Sequence, residues 1–318
     1  MVFFVSIKFY CVILLSSFYS LDMTENIASF LPIFSAIFFA FGSIFIKRAT
    51  AIGITPLSVC FTFNAMIFFF YLPMFLYSYN PQTIGMLWIV LTCAGIFFVG
   101  QIINYIGIYV GDVSLMNPLM GIKILFVVLL ASLFSKMSIP TIWIYASIFT
   151  AISIIIMGVE KFSFSKKTLL TIACAIGTCL AFAGLDIIMQ ENAKRMGVVF
   201  FISSLSIMLL PLSLPVLPVV IKDFKRVGMQ GFKWLAFGLP LIFLHDFLFC
   251  LSLSIASGGA VLANILVATR GIMTIAIVFL LGKQLKLPEA KMSKAFAFRR
   301  FLGATILFAT VAVVIATI

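Results

Sequence analysis

The stretch "GDVSLMNPLMGIKILFVVLLASLFSKMSIP", Gly111–Pro140, has a counterpart in "GAVLANILVATRGIMTIAIVFLLGKQLKLP", Gly259–Pro288. The two are equal in length, and each runs from a glycine to a proline at an offset of 148 residues. Each also carries a basic residue in the middle of its apolar run, Lys123 in one and Arg270 in the other, at an offset of 147. An arginine cannot shed its proton, and at the centre of a membrane helix it costs about 2.5–3.5 kcal/mol or more. A cation that costly, repeated at an equivalent position, points to an internal duplication built around a functional interior.

The whole chain supports a membrane setting. Of its 318 residues, 64% are hydrophobic and 9% charged, and the mean hydropathy is +1.28. That is too little charge to cover a soluble surface. The apolar blocks run about 18–25 residues, enough to cross roughly 30 Å of hydrocarbon as helices, whereas barrel strands would be shorter and would alternate. The fold class is therefore all-α integral membrane. The net charge of +12 does not point to nucleic acid, because the Lys and Arg residues lie between apolar blocks and form no single basic face. Six cysteines, Cys11, Cys60, Cys93, Cys174, Cys179 and Cys250, fall in apolar segments without paired spacing or a metal-type cluster. They read as packing residues, and no cofactor or metal is expected.

Hydropathy predicts ten transmembrane helices, at about 29–46, 57–79, 86–107, 113–134, 140–158, 168–189, 198–221, 234–255, 259–282 and 301–318. The hydrophilic stretch "EKFSFSKKT", Glu160–Thr168, divides them five and five. This gives a first repeat over 23–159 and a second over 160–318. Because five is odd, the second repeat enters the membrane inverted, and equivalent mid-helix residues meet near the midplane. Residues 1–22 form an extra hydrophobic segment. It lacks a basic leader and a small-residue cleavage site, so it reads as an added helix or as sequence upstream of a start at Met23. Fifteen Lys and Arg residues lie in the segments after helices one, five, seven and nine, against Lys136, Lys194 and Arg195 on the other side. The positive-inside rule puts the fifteen in the cytoplasm and Ile318 outside. The expected location is the cell (inner) membrane.

At this point the sequence resembles the ten-helix, EamA-type permeases of the drug/metabolite transporter superfamily. The resemblance covers about 29–318. It rests on the five-plus-five repeat, on "FGSIFIKRATAIGITPL" (Phe41–Leu57) closing the first helix, on "SLFSKMSIP" and "LLGKQLKLP" after the fourth and ninth, and on "FRRFLGATILFATVAVV" opening the tenth. It implies a secondary-active transporter of a small metabolite, a proton-coupled exporter in the first instance. The alternative is a carrier or exchanger for phosphorylated or carboxylated metabolites, like the nucleotide-sugar and sugar-phosphate carriers of the superfamily. Relatives move amino acids, sugars, nucleotide derivatives and drugs, so the substrate stays open. Two positions depart from the pattern. Ser135–Lys136 and Lys283–Gln284 stand where relatives often have an acid, and Asn64 where they often have a second-helix arginine.

The polar residues inside the spans supply the candidate site. Arg270 shares a helical face with Ala263, Val267 and Thr274. Its fork of donors suits a carboxylate or phosphate, and Lys123 adds a second charge for an anion clamp. The competing structural reading pairs Arg270 with an intramembrane acid, Asp246 or Asp186. Gln101 and Asn104 of the third helix map, with Phe97, onto His245, Phe249 and Ser252 of the eighth, and these faces would orient a substrate or bond between helices. Asp246 and the chain's one histidine, His245, are the expected proton-coupling groups, one as the proton site while the other packs between helices, with Asp186 a weaker candidate near an interface. Asn64 reads as packing glue. Pro118 breaks the fourth helix ahead of Lys123, and "GIYVG", Gly107–Gly111, is a close-packing GxxxG pattern. The chain has no HExxH, no GxSxG and no second histidine, which argues against an intramembrane enzyme; no large loop suggests a scaffold. The expected partners are the lipid bilayer and a small solute, anionic or zwitterionic, with the protein a monomer or homodimer.

Overall fold

The structure is a computed structural model that describes residues 25–79, 81–111, 113–134, 139–158, 165–255, 259–282, 284–285 and 294–316. The N-terminal segment 1–22 lies outside these, as do Ser135–Lys136 and Lys283 after the fourth and ninth predicted helices. The described residues fold into helices α1 (Glu25–Ile52), α2 (Pro56–Ser78), α3 (Leu87–Val110), α4 (Val113–Leu119), α5 (Lys123–Phe134), α6 (Thr141–Gly158) and α7 (Lys166–Met196). They continue as α8 (Val198–Ser213), α9 (Leu217–Val227), α10 (Met229–Ile255), α11 (Gly259–Val267), α12 (Arg270–Leu281) and α13 (Lys294–Ile315). No strand occurs among the described residues.

Eight stretches are long and apolar enough to cross a membrane, and they fall on the predicted spans one to four and six to nine. Two shorter apolar helices, Thr141–Ser153 and Leu302–Ile315, fall on predicted spans five and ten. In several places the helices outrun the apolar blocks. α1 continues to Ile52 and α7 to Met196, because helical hydrogen bonding does not stop where hydropathy falls. The segment after the seventh span, expected to be a loop, is helical apart from Gly228, divided between the end of α9 and the start of α10.

Local signals set the boundaries. Pro56 opens α2 at a position where a missing N–H costs nothing, and the Thr55 side chain accepts a capping bond from the Ser58 amide. Ser165 caps α7 in the same way through Thr168. The reversal between α7 and α8 takes a single residue, Gly197, at φ +86°, a conformation that a side chain disfavours.

The most extensive helix contacts are α1 with α10, α3 with α7, α6 with α13, and α2 with α8. In predicted span numbers these are 1–8, 3–6, 5–10 and 2–7. Adding five to each number turns 1–8 into 6–3 and leaves 5–10 and 2–7 unchanged. Among the next contacts, α5 packs on α7 as α11 and α12 pack on α1, whereas α3 on α8 has only a slight counterpart in α10 on α2. The α6–α13 pair, tied by the Ser153 hydroxyl donating to the Gly303 carbonyl at 2.5 Å, supplies none of the described residues that line the central cavity.

The GxxxG stretch behaves as its small residues suggest. A Cβ on Gly107 would lie 2.7 Å from Met116 Cε and 3.1 Å from Cys174 Cβ. The glycine thus lets α3 approach α4 and α7 more closely than an alanine would allow.

Candidate functional site: a charged cavity where two broken helices meet

The fourth and ninth predicted helices are both interrupted at their centres. In the fourth, Pro118 removes a backbone donor, α4 ends at Leu119, and a tight turn over Met120–Ile122 precedes α5. In the ninth, α11 ends at Val267, and i→i−3 bonds from Thr269 to Leu266 (3.2 Å) and from Gly271 to Ala268 (3.1 Å) tighten the chain before α12. Lys123 and Arg270 are each the first residue of the second half-helix. The breaks also touch. A Cβ on Gly271 would meet Pro118 at 3.4 Å, and the Met120 carbonyl accepts Arg270 Nη2 at 3.1 Å and the Cys179 thiol at 3.3 Å.

Beneath this shared geometry the charges differ. Lys123 Nζ lies 2.6 Å from Asp186 Oδ2, and Asn264 Nδ2 donates to the same oxygen at 2.6 Å. All three side chains are buried. Asp186 is thus not an interfacial bystander but a fixed partner of Lys123, and Lys123 is not the surplus cation. Arg270 is 4% exposed and forms no ion pair with Asp186 or Asp246. Its guanidinium sits 4.8 Å over the Phe39 ring, and its buried Nε has no hydrogen-bond partner. The two-cation clamp therefore reduces to one cation without a carboxylate among the described residues.

Phe39 and Asp186 stand 147 residues apart, the offset that relates Lys123 to Arg270. Where Lys123 finds a carboxylate, Arg270 finds the equivalent position filled by a phenyl ring. Asn117 and Asn264 share the offset too. Asn264 serves Asp186, while Asn117 donates to the Ser43 hydroxyl at 2.7 Å and the Thr274 hydroxyl at 3.0 Å. Sequence reasoning missed both asparagines, although the repeat register would have found them.

One cavity gathers most of the expected residues. Gln101 and Asn104 of α3, Lys123 of α5, His245 and Asp246 of α10, and Arg270 of α12 all line it. Gln101 Nε2 and Asn104 Oδ1 are buried without partners. His245 Nδ1 lies 2.5 Å from the Ser35 hydroxyl and 3.1 Å from the Ser35 carbonyl, its ring edge-on to Phe39. His245 Nε2 is 3.8 Å from Asp246 Oδ1, and the Asp246 side chain remains 32% exposed. Adjacent positions on a helix diverge by about 100°, so one residue is anchored while its neighbour stays open. Thr274 differs from its expected place. It is fully buried outside the cavity lining, donating to the Arg270 carbonyl at 2.8 Å. Val267 and Arg270, on either side of the break, both line the cavity, while Thr274, one turn further along α12, does not. Asn64 is also outside the lining, its amide 3.6 Å from Cys60 Sγ.

Polar contacts bind the helix ends at the side where α1 finishes. The Lys47 ammonium donates to the carbonyls of Ile108 at 2.8 Å and Gly111 at 2.6 Å, at the C-terminus of α3, where the helix dipole favours a cation. Asp223 of α9 accepts from the Thr55 amide (2.8 Å) and from the hydroxyls of Thr55 (2.6 Å) and Ser58 (2.7 Å), at the N-terminus of α2. Arg226 completes the joint, bonding Asp223 Oδ1 at 2.6 Å and the carbonyl of Gly53.

No family model matches the chain, and no curated protein matches it in sequence. Solved structures do match: one, described only as "Crystal structure of protein", superposes over 91% of this chain and 96% of its own, with a TM-score of 0.61 at 11% identity. At that identity the likeness is one of fold alone.

Proposed function

We propose that the chain is a secondary-active transporter, with ten spans arranged as two inverted five-helix repeats, that moves a small metabolite bearing an anionic group by alternating access. The observation that carries this reading is Arg270, a buried guanidinium at a helix break in a central cavity, with an aromatic ring where its repeat mate has a carboxylate. A fixed cation costs several kcal/mol when its counter-charge is missing, so a solute anion that supplies one gains what the empty site lacks. Helix contacts that survive exchange of the two halves support the repeat, and paired breaks at the centre are where a rocking bundle holds its solute. The resemblance to EamA-type permeases agrees with this reading. Asp246, part-exposed in the same cavity as Arg270, favours proton coupling as the driving force.

The test is transport and binding by purified protein. Arg270→Gln abolishes counterflow of a bound anion in proteoliposomes while the protein remains folded, and Arg270→Lys is also impaired because an ammonium keeps the charge but loses the planar fork. Wild-type counterflow by a folded Arg270→Gln protein would remove the proposed role.

A further inference from the structure

The free polar groups of the cavity and the chemistry of its walls narrow the solute further. Resting on the anion-site reading above, we infer that the solute is a monovalent carboxylate with an apolar, ring-sized body and one additional hydrogen-bonding group, and not a phosphate ester or a nucleotide derivative.

Charge decides the valence. Of the two central cations, Lys123 is held by Asp186 at 2.6 Å, with Asn264 on the same carboxylate. Arg270 alone of the pair is left for a ligand, and the cavity also contains the carboxyl group of Asp246. A monoanion matches one guanidinium. A phosphate ester near neutral pH brings up to two charges, and the second would face Asp246 with no cation to meet it.

Orphaned atoms decide the polar part. Arg270 Nε and Gln101 Nε2 are buried donors without partners, and Asn104 Oδ1 is a buried acceptor without one. All three residues line the cavity. Unpartnered polar atoms also occur away from the cavity, at Asn117, Thr150 and Ser252 among others, so it is the gathering of Arg270, Gln101 and Asn104 on one wall that describes the polar groups of the molecule that fills it. A carboxylate presents two acceptor oxygens for the two donors. A hydroxyl, amine or amide next to it meets Asn104, whichever way that amide is turned.

The walls decide the body. Phe39, Phe63, Phe97, Phe182, Phe243 and Phe249 line the cavity from five helices. Lys123 lies 4.9 Å over Phe249 and Arg270 lies 4.8 Å over Phe39, so the rings already serve as faces for the cations. A sugar or a nucleoside carries many hydroxyls that such walls leave unbonded, at a cost in affinity for each. An aromatic or branched aliphatic body loses nothing there.

The experiment is binding to the purified full chain in detergent, by thermal stabilisation and calorimetry, with phenyllactate, phenylacetate, phenylacetamide, glucose 6-phosphate and inorganic phosphate as probes. Phenyllactate binds saturably, phenylacetate binds more weakly for want of the hydroxyl, and the other three do not bind in the same range. Arg270→Gln weakens phenyllactate by about tenfold or more, as expected for loss of a charge-assisted bond. Asn104→Leu removes the difference between phenyllactate and phenylacetate. If Arg270→Gln fails to fold, the wild-type probe series and Asn104→Leu decide the matter. Arg270-dependent binding of glucose 6-phosphate as tight as that of phenyllactate overturns the substrate class and leaves the anion site standing. Equal binding of phenylacetamide, or no binding of either carboxylate, overturns the inference; the former overturns the anion site as well.

Discussion

Lys123 and Arg270 occupy equivalent positions, yet their removal should have very different consequences for stability. Lys123→Met strands Asp186, a buried carboxylate whose remaining bond in this network comes from Asn264. Breaking one side of a buried ion pair costs about 3–5 kcal/mol in proteins generally, with the lower end more apt in a bilayer, where polar partners are easier to replace. Arg270→Met strands no carboxylate. It gives up one charged hydrogen bond, to the Met120 carbonyl, and a cation–π contact with Phe39, together worth about 2–4 kcal/mol. It also removes an unpaired cation from the membrane interior, returning about 2.5–3.5 kcal/mol. The expected net change is within about 1.5 kcal/mol of zero, leaving a gap centred on about 3 kcal/mol between the two variants. SDS-driven unfolding in mixed micelles, followed by the fluorescence of the three tryptophans, measures that gap. The double variant Lys123→Met/Asp186→Asn should regain most of the loss, because no charge is then left alone. If Arg270→Met destabilises as much as Lys123→Met, and Asp246→Asn restores it, then Arg270 is a structural counter-ion and the argument for a solute anion fails.

The topology expectation is checked with a cysteine placed near Lys291: an impermeant thiol reagent added to intact cells should not label it, and labelling would invert the orientation. Asp246→Asn should abolish uphill transport driven by a pH gradient while exchange and binding continue, and gradient-driven uptake at the wild-type rate would discard Asp246 as the coupling group. Gly107→Val should lose about 1–3 kcal/mol through overpacking against Met116 and Cys174, seen in the same micelle assay; an unchanged midpoint would show that the α3–α7 seam is looser than its geometry indicates.

The fold was legible where periodicity and apolar length act locally. Eight predicted spans coincide with helices fit to cross a membrane, and Pro118 announced the break before Lys123. The ninth helix has no proline at its break, so nothing in its local sequence marks Ala268–Thr269, and the face counted through to Thr274 was carried one turn too far. The members of the site were legible because charged and amide side chains are rare inside an apolar run. Their partners were not. Which acid meets which cation depends on how helices from opposite halves pack, and a single sequence offers Asp186 and Asp246 to Arg270 on equal terms.

If the chain is the duplicated bundle proposed above, the repeat explains why the pairing matters. A duplicated pair of broken helices brings two cations to one place, and two like charges a few residues from a shared axis repel unless something is done about each. One half answers with a carboxylate from α7, which ties Lys123, Asp186 and Asn264 into a neutral joint between α5, α7 and α11. The other half holds Phe39 at the matching position, which cradles Arg270 without neutralising it. Had both positions carried an acid, the cavity would be two closed ion pairs with nothing to offer a solute. Had both carried a ring, two unpaired cations would have to be buried together. On that proposal, a single departure from the duplicated pattern, phenylalanine opposite aspartate, separates the part of the site that holds the bundle together from the part left open for a solute.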